Sequence, residues 1–227
     1  MESLFNRIVV NGRMGYSSLR PYRRILFMVL ALITTAALSA YVFAPAPVQD
    51  LAQRQHFQQT NIRGLWARGE LVVLMRHVER CDHSTNPCLA APDGITRKGQ
   101  DVALELNKSM KTMGLDNADI FSSPWLRTTQ TASLVFDQPV TNQDWLANCR
   151  KTMLDDVLAH KVDQRNLILV THSECIDQLE KSLNTPRTMI NYGASFIISV
   201  DPVTHKPKIL GFMDAPGWKT VLAKRDE

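Results

Sequence analysis

The chain lacks several features that would mark common protein classes. Past residue 49 it has no net charge, with 21 Lys plus Arg against 21 Asp plus Glu. There is therefore no basic excess to neutralise a polynucleotide, and no nucleic-acid partner is expected. It contains no CxxC pair and no internal repeat. Cys81, His83 and Cys88 could supply three zinc donors, but their spacing is not a strong zinc pattern, and no metal is expected. Cysteine is scarce, with four in the chain. An even count suits two disulfides in an oxidising compartment, and four cysteines allow three pairings. The preferred pairing joins Cys81 to Cys88 across a short polar loop and Cys149 to Cys175; four free thiols is the alternative.

The formal net charge of +4 lies at the N-terminus, where residues 1–49 hold five Arg and one Glu. Arg20, Arg23 and Arg24 precede ILFMVLALITTAALSAYVFAPAPV, a run from Ile25 to Val48 without a charge. About 20 such residues can span a bilayer. The arginines place the N-terminus in the cytoplasm. The expected organisation is a tail over 1–24, a signal anchor over 25–43, a helical lead-in over 44–69 and one domain over 70–227. Cleavage near Ser39 and Ala40 is the alternative, although Leu38 fits a cleavage site poorly.

Within the domain, apolar runs alternate with amphipathic stretches, which predicts an α/β sheet with helices on both faces. Leu71–Met75 and Leu167–Val170 read as buried strands. Thr96 caps a helix from Arg97 to Met113 that Gly114 stops. Ala118–Phe121 is a short strand, and Ser122-Ser123-Pro124 reads as a serine cap followed by proline at the first position of a helix ending near Phe136. Met153–His160 is helical, a helix from His172 reaches Leu183, and Ser195–Val200 with Lys208–Phe212 forms a closing pair.

Both buried strands end in histidine, at Arg76-His77 and at Thr171-His172. Ligands of open α/β sheets bind at the carboxyl ends of strands. Arg127, near a helix start, reaches the same edge, where free N–H groups favour anions. Arg76, Arg80 and Arg127 can surround a tetrahedral anion, and the planar guanidinium suits paired bonds to its oxygens. Glu79 is read as orienting an arginine. His56, His83, His160 and His205 are read as surface residues, Trp125 as core packing more readily than pocket lining, and Trp66, Trp145 and Trp218 as packing.

These residues resemble the histidine phosphatase superfamily over roughly 70–180. Its RHG signature appears as Arg76-His77-Val78, with valine in place of glycine, and Arg80 matches the further arginine of the acid-phosphatase branch. RHVERCDHSTNPC, the run Gly94–Gly99, the pattern around Arg127 and Thr171–Cys175 resemble an exported lipopolysaccharide-modifying branch. The resemblance implies a three-layer α/β/α fold with a mostly parallel sheet and no cofactor. It implies phosphomonoester hydrolysis through a phosphohistidine on His77, with Arg76, Arg80 and Arg127 on the phosphate and a protonated His172 beside it. A phosphorylated sugar of the lipopolysaccharide core is the implied substrate, in the periplasm of a bacterium, with the chain in the inner membrane. The acid-phosphatase branch has its acid directly after the second histidine, where Ser173 stands here. Glu174 is the first candidate acid and Asp144 the second. The alternative function is a catalytically weak relative that binds phosphate groups or a partner. A phosphomutase is disfavoured because it needs a phosphorylated cofactor.

Overall fold

A computed structural model describes residues 20–42 and 46–223. Residues 1–19 of the expected tail lie outside the described residues. The chain divides into two units, residues 1–45 and 46–227. In the first, α1 (Arg20–Val42) has 23 residues. Its segment Tyr22–Val42 has mean hydropathy 2.3 and is long enough for the roughly 30 Å hydrocarbon layer of a bilayer. The hydroxyls of Thr34, Thr35 and Ser39 donate to carbonyls of the preceding turn, which satisfies these polar groups within an apolar helix.

The second unit opens with α2 (Arg54–Gln59) and α3 (Ile62–Ala67), separated by Asn61 in the left-handed region at φ 50°. Leu51, Phe57, Ile62 and Trp66 enter the core that packs on the sheet. The segment expected as a lead-in is thus part of the packed unit. Strand β1 (Leu71–Arg76) follows. Leu71, Val73 and Met75 face one core and Val72 and Leu74 the other. Such two-sided cover is what an uninterrupted apolar run requires, and each fully buried aliphatic side chain contributes about 1.5–3 kcal/mol. Helix α4 (Arg97–Met113) has the expected bounds, with Thr96 Oγ1 accepting from the Gly99 amide and Gly114 closing it at φ 81°.

Next come β2 (Ala118–Ser122), α5 (Leu126–Phe136), β3 (Thr141–Asn142), α6 (Met153–His160), β4 (Asn166–Thr171), α7 (Ser173–Ser182), β5 (Ser195–Val200), β6 (Pro207–Met213) and α8 (Ala215–Leu222). The sequence reading has no counterpart of α8. Asp214 caps it by accepting from the Gly217 amide, and it buries Trp218. The strand order is β3-β2-β4-β1-β5-β6. The first four strands are parallel, and β5 runs antiparallel to both β1 and β6. Helices α2, α3, α4, α5 and α8 cover one face and α6 and α7 the other, giving the expected three layers.

Register at the far end of the sheet is held by Asn166, which is fully buried. Its Oδ1 accepts from the Leu71 amide at 3.1 Å, and its Nδ2 donates to the carbonyls of Trp66 at 2.9 Å and Asn117 at 3.2 Å. Satisfied buried amides of this kind specify one pairing. Two disulfides, Cys81–Cys88 and Cys149–Cys175, close loops of 7 and 26 residues' separation. Cys81 and Cys88 are bonded to each other, which takes both sulfurs out of any zinc site. Loop-closure entropy favours the longer bridge, about 3–4 kcal/mol against roughly 2–3 for the shorter. The Cys149→Ser/Cys175→Ser pair should therefore lower the urea midpoint more than Cys81→Ser/Cys88→Ser. Equal midpoints in all three proteins would show that neither bridge stabilises the fold.

Candidate active site

Strands β1 and β4 are neighbours, with Arg76 opposite Thr171. The residue after each is histidine, and the His77 amide donates to the Thr171 carbonyl at 3.0 Å. The two rings lie 5.4 Å apart, centroid to centroid. Both are buried, as is Arg127. Ser122 at the end of β2 pairs with Val170, and the Ser123 amide continues that ladder to the Val170 carbonyl at 2.9 Å. Because β5 is antiparallel to β1 and starts opposite Met75, the turn before it, Asn191 to Ala194, meets the same edge. Four strand ends thus converge on one place.

Hydrogen-bond partners assign the tautomers. His77 Nδ1 is 2.8 Å from the Val78 carbonyl, which can only accept. Nδ1 therefore carries the proton, and Nε2 presents a lone pair. Arg127 Nε donates to that Nε2 at 3.2 Å. Arg127 Nη2 is 3.2 Å from His172 Nδ1 and can only donate, so the His172 proton is on Nε2, 2.9 Å from Ser123 Oγ. Val78 is fully buried and is absent from the positive-φ residues. The backbone there needs no glycine.

Arg127 lies in the first turn of α5, but the turn before it differs from expectation. The helix starts at Leu126 with Trp125 in the cap position and no side-chain cap. Ser123 lies before the helix, with its carbonyl accepting from Thr128 Oγ1 at 2.8 Å and its hydroxyl turned to His172. Trp125 is 49% exposed, with the Arg127 guanidinium 4.0 Å from its ring centre, so it lines the site and is not core packing. Arg76 Nη1 donates to the Ile190 carbonyl at 2.6 Å, and its guanidinium lies 4.0 Å over Tyr192, whose ring is 5.6 Å from that of His77. Gly193, at φ 73°, donates to the carbonyls of both Arg76 and His77. The sequence reading missed Tyr192 and the part played by Ser123. A glycine next to an aromatic residue, just before an edge-side strand, was the available signal for the former.

Arg80 flanks the site and is paired in a two-pronged bond with Asp82. Among the described residues, Glu79 bonds to no arginine. Its carboxylate instead accepts from Ser84, Asn86 and Thr96, tying the disulfide loop to the start of α4. Glu174 is exposed in the first turn of α7, and its charge is felt by Arg76, Arg80, Arg127 and His172. Asp144 is exposed at the start of a short 3₁₀ turn, and among the described residues its side chain bonds none of this cluster. His160 is half-buried and stacks on Trp145 at 4.8 Å, a packing role where surface was expected.

Burial first, then the nearby His172, Arg127 and Arg76 charges, lower the His77 pKa to about 3. Burial and Arg127 lower that of His172 to about 4. Both rings are neutral at pH 7 in the free protein, so the expected protonated His172 does not describe this state. Burial also depresses Arg76 and Arg127. Neither guanidinium has a carboxylate ion-pair partner among the described residues. Buried cations without counter-ions are costly, and an anion between them would relieve the cost. Partial desolvation of the otherwise exposed Glu174 raises its pKa, but hydrogen bonds to its backbone and Ser173 and the nearby Arg76 charge hold it below the usual carboxylate range. An open cleft of about 780 Å³ adjoins the cluster, lined by Arg80, Asp82, Asp93, Trp125, Arg127 and Asn142 among others.

No family model matches the chain. It is 33% identical over 135 residues to the lipopolysaccharide core heptose(II)-phosphate phosphatase of Escherichia fergusonii, covering 58% of this chain and 69% of that protein. It is 34% identical over 115 residues to the protein of the same name from an Escherichia coli O139:H28 strain, covering 49% and 57%. An open reading frame product of Mycobacterium tuberculosis superposes with a TM-score of 0.50 at 16% identity, over 65% of this chain and all of that one, a likeness of fold alone. A phosphoserine phosphatase of Entamoeba histolytica gives a TM-score of 0.49 at 16% identity, over 63% and 95%. The chain belongs to the family of the lipopolysaccharide core heptose(II)-phosphate phosphatases.

Proposed function

We propose that the protein hydrolyses phosphomonoesters through a phosphohistidine on His77. One observation carries the reading: a buried guanidinium, Arg127, and a half-buried one, Arg76, neither with a carboxylate ion-pair partner among the described residues, flank a neutral imidazole whose Nε2 lone pair is free of any proton. A phosphoryl group bound by the arginines takes over the donors that Arg127 now gives to the two histidines. The His77 Nε2 lone pair then bonds to phosphorus as the ester P–O bond breaks. Arg76, Arg80 and Arg127 stabilise the charge on the equatorial oxygens. The dianion also raises the His172 pKa, so that its ring gains a proton and donates to the same oxygens.

The leaving alkoxide needs a proton, and Glu174 is the proposed donor. Hydrogen bonds to its backbone and Ser173, with the nearby arginine charges, hold it ionised in the free protein. A bound dianion offsets those charges and lets it protonate. After transfer, its carboxylate takes a proton from the water that cleaves the phosphohistidine. That resting ionisation, with Ser173 directly after the second histidine, is what favours the alternative of a phosphate-binding relative with weak turnover. The curated relatives are named for a heptose phosphate of the lipopolysaccharide core, and a sugar phosphate of that core is the proposed substrate. An apolar α1 with arginines at its N-terminal end, together with two disulfides, supports an inner-membrane anchor with residues 46–227 in the periplasm.

With the full chain in detergent, His77→Ala should abolish release of phosphate from aryl and alkyl esters, and acid-labile, base-stable label should form on the wild type alone. Turnover by His77→Ala would remove the nucleophile assignment. Glu174→Gln should slow alkyl phosphate hydrolysis by roughly a hundredfold and aryl phosphate hydrolysis far less, since general acid catalysis contributes on that scale. Equal losses would exclude Glu174 as the acid.

A third expectation concerns pH. Both histidines have folded pKa values below their unfolded value of about 6.5. As pH falls from there towards 4 and then 3, the unfolded chain binds protons that the native state does not, so stability declines across that window and is complete above it. The urea midpoint should therefore drop between pH 7 and pH 4.5, and drop less in His77→Gln. An identical pH dependence in both proteins would refute the neutral, buried state of His77.

A further inference from the structure

The cleft beside Arg127 is built differently from the phosphate pocket it adjoins. Trp125 is the one exposed aromatic side chain among the described residues of the 46–227 unit. One of its ring faces is covered by the Arg127 guanidinium, and its ring lines the cleft. A large apolar ring held in water at the mouth of a site is a surface that a ligand can cover. Around it stand two carboxylates, Asp82 and Asp93, and the Asn142 amide. Asp82 is neutralised by Arg80, whereas Asp93 is exposed and has no ion-pair partner among the described residues.

We infer that this cleft is a carbohydrate subsite, in which Trp125 stacks against the C–H face of a pyranose ring while Asp93 and Asn142 bind its hydroxyls. The inference rests on the phosphatase reading above and assigns the substrate class to residues of this chain. A pyranose presents an apolar face of C–H groups and a rim of hydroxyls, which is the complement of an indole bordered by a carboxylate and an amide. Carboxylate and amide groups each bond vicinal hydroxyls in pairs. Arg80 and Arg127 line both the cleft and the anion pocket, so a ring in the cleft carries its phosphate towards His77. The uncompensated Asp93 carboxylate opposes a second phosphate on the ring, which selects monophosphorylated sugars. A nucleoside diphosphate meets the same repulsion.

The test uses the full chain in detergent and two secondary-alcohol esters with similar leaving groups, methyl α-mannopyranoside 4-phosphate and glycerol 2-phosphate. The expected wild-type preference, as a ratio of kcat/KM, is for the pyranoside. Trp125→Ala should lower that ratio by roughly tenfold or more, with Trp125→Phe in between, and Asn142→Ala and Asp93→Ala by several-fold. Asn142 and Asp93 are exposed, so their variants keep the test open should Trp125→Ala fail to fold. In addition, unphosphorylated methyl α-mannopyranoside should change the tryptophan fluorescence of the wild type and not of Trp125→Phe. A ratio of one in the wild type, a ratio unmoved by all three alanine substitutions, or preference for a phosphoserine peptide would overturn the subsite. Fluorescence response to the sugar without turnover of either ester would sink the phosphatase reading and leave the subsite standing.

Discussion

The bond on which this site depends is the one that Arg127 makes to two imidazoles at once. Its Nε donates to His77 and its Nη2 to His172, each at 3.2 Å. A guanidinium has no acceptor, so both bonds require a lone pair on the facing nitrogen. This one side chain thereby fixes which nitrogen of each ring is bare. It also fixes what lies behind each ring, because the second nitrogen must find an acceptor. For His77 that is the Val78 carbonyl, and for His172 it is Ser123 Oγ. The geometry needs β1, β4 and β2 in adjacent positions with their ends level. Asn166, the first residue of β4 at the opposite end of the sheet, supports that alignment through its side-chain bonds to the start of β1, to the end of α3 and to the residue before β2.

Charge and burial act in the same direction on the histidines and in opposite directions on Glu174. Burial alone disfavours imidazolium, and the arginines add to it. The result is an imidazole that stays unprotonated well below neutral pH, gained by placing beside it cations that have no carboxylate counter-ion among the described residues. Their desolvation is the cost, since buried unpaired charge destabilises a fold. Tyr192 and Trp125 each lie against one of these guanidiniums. Cation–π contacts of this kind recover about 0.5–2 kcal/mol apiece without occupying the donors that an anion needs. Carboxylates in those positions would have stabilised the arginines more and closed them to an incoming anion.

Much of this was legible in the sequence, and the divisions have physical causes. Leu71–Met75 and Leu167–Val170 read correctly because a strand covered on both faces must be apolar throughout. Thr96 and Gly114 bounded α4 correctly because the capping chemistry is local. Ser123-Pro124 misled because the same residues also suit a cap, and only the tertiary partner His172 decides between the two uses. Trp125 misled for a similar reason: tryptophan is usually buried, and its exposure depends on an arginine two residues on. Glu79 was expected to face an arginine, yet hydroxyl and amide donors from three loop positions fill its carboxylate. Tyr192 was out of reach, since its contact with Arg76 exists only because β5 runs antiparallel to β1.

The two disulfides show the same economy of placement. Cys81 follows Arg80 directly, and Cys175 lies in the first turn of α7, just after His172. Each bridge thus anchors a loop at the carboxyl edge of the sheet, where backbone ladders have ended and register no longer constrains the chain. The core, with its two apolar layers, has less need of such a constraint. A cluster of convergent donors demands placement within about half an ångström, and loops alone seldom achieve that. Covalent closure supplies the missing rigidity, so the positions of the cysteines are a property of the site as much as of the fold's stability.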